Sequence, residues 1–301
     1  MIGSSKTSFW IVLPVVVLLT SWVWTGNAAE KRILTSFYPV HIATLNVTAG
    51  VPGVQVAMMT PVSAGCLHDY QLTTDDMVNL SRADILIVNG LGAETFLDAA
   101  MKRLNTLKVI NASEGIEPMV VNGETNAHVW LSVRLHIRQV NRIAEGLALA
   151  DPGHANTYRV NAAAYVGRLR ELQTRYEEGL KGGGVRAVVT FHDAFPYFAR
   201  DYGFTVVAVV ERHPGAQPNA RELRDAIQVI RQRGVGFVFA EPQYPPVAAE
   251  LIAKETGARV LLLDPVVSGL PREEAYVEIM DRNMATLQQA FARPAQAAEK
   301  R

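Results

Sequence analysis

Seven histidines occur in the 301 residues, and three of them, His68, His128 and His192, stand where short apolar runs give way to helical patterns. Asp264 holds the same kind of position, directly after the run Val260-Leu261-Leu262-Leu263. Imidazole nitrogens and a carboxylate oxygen suit a borderline divalent cation, and four such donors would close a tetrahedral shell around Zn²⁺. No pair has the helical spacing His-x-x-x-His, so any such site must be assembled by the fold from distant stretches. Taken singly, each histidine could as well be a packed or capping side chain, and Asp264-Pro265 could be a turn whose aspartate bonds its own backbone. Three histidines on Zn²⁺ with water in the fourth position would instead be a hydrolytic centre; Asp264, which would fill that position, and the lack of a His-Glu-x-x-His motif argue against it.

The elements that must position these residues are readable as a repeated theme. Apolar runs at 33–37, 54–59, 84–88 and 107–110 alternate with helical stretches at 39–50, 74–82 and 93–103. Runs at 186–190, 204–210, 235–240 and 259–263 alternate with helices at 193–202, 219–233, 245–256 and 273–292. The runs are too short for helices, and Ile85-Leu86-Ile87-Val88 lacks polar alternation, as in strands buried on both faces. The expected class is α/β, two lobes that each hold a parallel sheet flanked by helices. A helix at 134–149 leads into a longer one at 154–180. In the longer helix Tyr158, Ala162, Tyr165, Leu169, Leu172, Tyr176 and Leu180 make a stripe at steps of four and three. Such a helix is about 40 Å long and can brace two lobes. Ligands of parallel α/β sheets bind at the carboxyl ends of the strands, so the four donors, two from each lobe, fall on the edge where a cleft should open.

The chain opens with a short basic start, an almost uncharged stretch from 8 to 24 and the small residues Gly26-Asn27-Ala28-Ala29, the pattern of a cleaved secretory signal peptide. The domain reading is therefore a signal peptide at 1–29, an N-terminal lobe at 30–153, a linking helix at 154–181 and a C-terminal lobe at 182–301. Lysine plus arginine equals aspartate plus glutamate, 29 each, which points to no nucleic-acid or anionic partner. The single cysteine, Cys66, lies far from the cleavage region and offers no lipid attachment there. A periplasmic, monomeric protein without a lipid anchor is expected. Beside apolar Leu67, Cys66 reads as a buried thiol rather than a soft ligand. Asp69, Asp193 and Glu241 could orient imidazoles through the second ring nitrogen, although Asp193 reads first as a helix cap. His41, His136, His154 and His213 read as surface or structural residues.

The words around the candidate donors occur in a telling order: Gly65-Cys66-Leu67-His68-Asp69-Tyr70, His128-Val129-Trp130-Leu131-Ser132, Phe191-His192-Asp193-Ala194-Phe195, Phe239-Ala240-Glu241-Pro242-Gln243 and Leu263-Asp264-Pro265. Together they resemble the zinc-binding, ZnuA-like branch of the solute-binding proteins that serve metal ABC importers, over essentially the whole mature chain. The resemblance implies two α/β lobes joined by a rigid helix with the metal between them. It also implies His68, His128 and His192 as nitrogen ligands and Asp264 as the fourth ligand. It makes Zn²⁺ the cargo and an ABC importer permease subunit the partner, with no enzymatic activity; Mn²⁺ is the alternative cargo, but manganese members usually have a glutamate where His192 stands. Two departures follow. The segment 111–127 is short and free of histidine, unlike the long metal-collecting loop of many relatives, and Leu67 replaces the usual proline before the first histidine.

Overall fold

The computed structural model describes residues 30–67, 70–104, 107–181, 186–211 and 218–291. The proposed signal segment, His68, Asp69 and His213 lie outside the described residues. In the first half, β1 (Lys31–Thr35), α1 (Tyr38–Thr48), β2 (Val54–Met58), α2 (Thr74–Arg82), β3 (Ile85–Val88), α3 (Asp98–Met101) and β4 (Lys108–Asn111) follow in order. Their strands form one parallel sheet, ordered β2-β1-β3-β4, with Ile33 opposite Ile85 and Leu34 opposite Leu86. These residues are fully or almost fully buried, which is why the runs carry no polar alternation. Helix α2 starts on a reciprocal capping box between Thr73 and Asp76. The continuous helix expected at 93–103 is instead a 3₁₀ turn at Thr95–Leu97 followed by the four-residue α3.

A hairpin of β5 (Val120–Val121) and β6 (Glu124–Thr125) then precedes α4 (Val133–Ala150) and α5 (Ala155–Gly179). The turn of the hairpin is Asn122-Gly123, both at positive φ, the residue pair that a tight two-residue hairpin prefers. Helix α5 rises about 37 Å and packs against α1, α4 and α9 (Ala275–Phe291), the last helix among the described residues. Every residue of its apolar stripe is buried, from Tyr158 to Leu180. Helix α4 passes β4 closely at Gly146, where a Cβ would come within 2.7 Å of the Ile110 side chain.

The second sheet is built after α5. It contains β7 (Ala187–Thr190), β8 (Thr205–Val209), β9 (Phe237–Ala240) and β10 (Arg259–Leu262), all parallel, in the order β10-β9-β7-β8. Helices α6 (Pro196–Tyr202), α7 (Ala220–Arg233) and α8 (Val247–Thr256) connect them. Each of the three stops at a glycine in the left-handed conformation, Gly203, Gly234 and Gly257. One continuous hydrophobic cluster runs from Ile33 and Phe37 of the first lobe through Tyr165 and Leu169 of α5 to Phe198 and Tyr276 beyond it. The two sheets are thus fixed to a shared core as well as to a shared helix.

Candidate metal centre

His128 is delivered by the chain leaving β6, immediately before a 3₁₀ turn at Val129–Leu131. Its backbone amide and ring Nδ1 both meet Asn126 Oδ1, at 3.0 and 3.1 Å. The other end of the same amide, Nδ2, donates to the Asp193 carbonyl at 2.7 Å. A carbonyl only accepts, so this bond fixes which end of Asn126 is oxygen, and Oδ1 in turn requires a proton on His128 Nδ1. In the neutral ring that proton leaves the lone pair on Nε2, the form a metal needs. His192 follows β7 by two residues, and its ring lies edge-on to His128 with centroids 4.8 Å apart. Both rings are buried, at 3% and 1% exposure. The two histidines come from opposite sides of α5 in the sequence and meet between the segment that leaves β6 and the end of β7.

Cys66 is half-buried and packs against the edge of the core that its neighbour Leu67 enters fully. Gly65, at φ 65°, turns the chain after the short 3₁₀ turn at Val62–Ala64. The Sγ atom then lies 3.8 Å from His128 Nε2 and 3.7 Å from His192 Nδ1. Among the described residues, Cys66, His128 and His192 form the one group whose possible ligand atoms all lie within 4.8 Å of one another.

Glu241, at the end of β9, places Oε2 3.6 Å from His192 Nδ1. The same oxygen accepts from Gln243 Nε2 at 2.6 Å, whereas the buried Oε1 has no hydrogen-bond partner among the described residues. Burial disfavours a charged His192, but Cys66 and Glu241 outweigh it and hold the imidazole well above its usual value. Asp193 is a correction. Helix α6 begins at Pro196 with Phe195 before it and no side-chain cap, so Asp193 lies too early to cap it. It instead lines a cavity of ≈ 450 Å³ with both histidines, Glu124 of the hairpin and Glu211. Its carboxyl is raised by burial, with His192 opposing.

Asp264 follows β10 and spends Oδ1 on the Val266 amide, 2.8 Å away, the self-bonding turn that its Pro265 neighbour suggested. Its backbone is held on both sides by Asn283, whose Oδ1 accepts from Asp264 N and whose Nδ2 donates to Asp264 O. Trp130 Nε1 donates to the Pro265 carbonyl at 2.8 Å and ties this loop to the His128 turn. Burial pushes the Asp264 carboxyl up, the Val266 amide and Arg282 oppose, and Glu241 adds to the rise. The remaining histidines with described positions are structural. His41 bonds Thr35, His136 is buried against Tyr276, and His154 bonds Asp151.

Two contributors escaped the sequence reading, Asn126 and the hairpin. The Asn122-Gly123 pair was the signal for the hairpin, but Asn126 carries no motif because its partners are a backbone carbonyl and a ring brought in by folding.

The family described as zinc-uptake complex component A periplasmic, ZnuA, matches residues 33–290. The chain is 27% identical over 282 residues to the zinc-binding lipoprotein AdcA of Streptococcus pneumoniae, a match that covers 86% of this chain and 56% of that protein. It therefore spans little more than half the length of that relative. It is also 27% identical over 277 residues to the iron-binding protein YfeA of Yersinia pestis, covering 89% of this chain and 88% of that one. Among solved structures it is similar to the SBP FpvC of Pseudomonas aeruginosa in complex with Mn²⁺, with a TM-score of 0.79, 28% identity and coverage of 87% and 98%. Among the described residues no helix is long and apolar enough to cross a membrane.

Proposed function

This chain belongs to the ZnuA family of metal-binding periplasmic components, and from that premise we propose that it captures Zn²⁺ outside the cytoplasm and delivers it to the permease of an ABC-type importer. The observation that carries the reading is the meeting of two buried imidazoles, His128 and His192, from opposite sides of α5. Imidazole is a strong donor for zinc, and the acidic lining beside the pair, Glu124, Asp193 and Glu211, favours an approaching cation. The sequence adds His68 and Asp264 to the candidate donors, and any four protein donors drawn from the site would close the shell to a reacting water. The process is therefore capture and release rather than catalysis.

The relatives differ in the metal their names carry, zinc, iron or manganese. Zinc is favoured here by the donor types, since Mn²⁺ prefers a shell richer in oxygen. Acid weakens binding, because a cation must displace the protons held at the imidazoles. The working units are the lobe at 30–153, the helix at 154–181 and the lobe at 182–301. The protein acts as a periplasmic monomer, and docking on the permease must open the shell.

The test is elemental analysis after the protein has been stripped and reloaded from an equimolar mixture of Zn²⁺ and Mn²⁺. One Zn²⁺ per chain that survives dialysis, and is lost in His192→Ala, is the expected result. Stoichiometric manganese would replace the cargo, and no retained metal would overturn the carrier reading.

A further inference from the structure

We infer that Cys66 is itself a ligand of the cargo metal, which makes the site a nitrogen–sulfur centre and Cys66 the residue that selects against hard cations. This rests on the carrier reading above and goes beyond it, because the family resemblance assigns only histidines and an aspartate.

The separations are those of a shared ion. With Zn–S near 2.3 Å and Zn–N near 2.05 Å, a tetrahedral angle sets sulfur and nitrogen about 3.6 Å apart. Cys66 Sγ lies 3.8 Å from His128 Nε2 and 3.7 Å from His192 Nδ1. Both contacts fall within about 0.2 Å of that value. A hydrogen-bonded thiol reaches the same partners, with S–H donating to one ring nitrogen while the sulfur accepts from an N–H of the other, and the cobalt spectrum separates that arrangement from a metal bond.

A second feature lies beside His192, where a buried carboxylate oxygen has no donor among the described residues. Glu241 is 2% exposed, its Oε2 abuts the ring of His192 and its Oε1 meets no donor among the described residues. A buried carboxylate oxygen without a donor is costly, and a cation bound at the sulfur and two nitrogens would offset that cost. Nor is the thiol committed elsewhere, since Cys66 is the only cysteine and has no disulfide partner within the chain. On binding, the Sγ–H bond breaks, its proton passes to solvent and the electron pair left on sulfur forms the bond to the metal. Thiolate is a soft donor, suited to Zn²⁺, Cd²⁺ or Cu⁺ and poorly suited to Mn²⁺.

Cobalt substitution tests this on the unaltered protein. Co²⁺ bound at the proposed site should show intense visible d–d bands together with a near-ultraviolet sulfur-to-cobalt charge-transfer band. In Cys66→Ser the d–d bands should persist while the charge-transfer band disappears, and Zn²⁺ affinity should fall by roughly tenfold or more with little change for Mn²⁺. Cobalt d–d bands without the sulfur band in the unaltered protein would overturn the assignment of Cys66 and leave the carrier reading standing. An absence of both would overturn the carrier reading as well.

Discussion

Asn126 Oδ1 lies 3.1 Å from His128 Nδ1, and the same side chain spans the lobe boundary to the Asp193 carbonyl. One amide thus orients the imidazole proposed as a metal ligand and ties it to the backbone at Asp193, across α5 in the sequence. Asn126→Ala should lower zinc affinity by roughly 10–100-fold, the usual consequence of removing a group that supports a metal-bound histidine. Competition titration against a chromogenic chelator measures the affinity, and circular dichroism checks the fold. Unchanged affinity would mean that the surrounding turn alone holds His128.

The buried stripe of α5 makes a second prediction, about cooperativity. Leu169 is fully buried in the cluster that joins residues of both lobes. Leu169→Ala should cost about 2–5 kcal/mol through lost burial and the cavity left behind. Because the core is shared, the loss should appear as one calorimetric transition shifted to lower temperature. Two separated transitions would show that the lobes unfold independently and that α5 is only a tether.

Much of this architecture is legible in the chain. Runs such as Ile85-Leu86-Ile87-Val88 announce strands buried on both faces, and the α5 stripe announces a helix with one covered face. What failed to read was long-range or set by backbone. Cys66 reads as a core thiol because Leu67 is apolar, and it does pack at the core edge, but its position beside two imidazoles is set by the turn at Gly65 and by rings that only folding brings in. Asp193 looked like a helix cap because acids favour helix starts, but Pro196 is the stronger start signal and puts the first turn three residues later. Asn126 acts through partners that only folding supplies.

Buried structural histidines should shape stability in acid. His136 is fully buried, stacked on Tyr276 at a centroid distance of 4.0 Å, with Gln139 and Tyr165 at its ring nitrogens. Burial holds it down from 6.5 to about 4, only partly opposed by the Gln139 bond. The unfolded chain therefore binds a proton that the folded chain refuses between those values, so stability falls as pH drops through this window. By pH 4 the loss is about 3 kcal/mol for this one group. In chelator-treated protein, His136→Gln should shrink the stability difference between pH 7 and pH 4 by about that amount, as read by urea unfolding. An unchanged difference would place the acid sensitivity elsewhere.

Asp264 holds two roles that one substitution can separate. Oδ1 accepts from the Val266 amide at 2.8 Å and so helps to hold Val266 at φ 58°. That is left-handed backbone, which a β-branched side chain avoids at a cost of order 1–3 kcal/mol. The carboxylate charge is the part a metal would use. Asp264→Asn keeps an acceptor oxygen for Val266 and removes the charge, whereas Asp264→Ala removes both. The asparagine variant should keep the parent melting temperature while zinc affinity falls by at least roughly tenfold, the scale on which even supporting groups of a metal site are felt. The alanine variant should lose affinity and also melt earlier, because the Val266 amide loses its acceptor and the strained turn its restraint. If the asparagine variant binds zinc as tightly as the parent while the alanine variant only melts earlier, Asp264 is a turn residue. The donor set then rests on the two buried imidazoles, the Cys66 sulfur and His68.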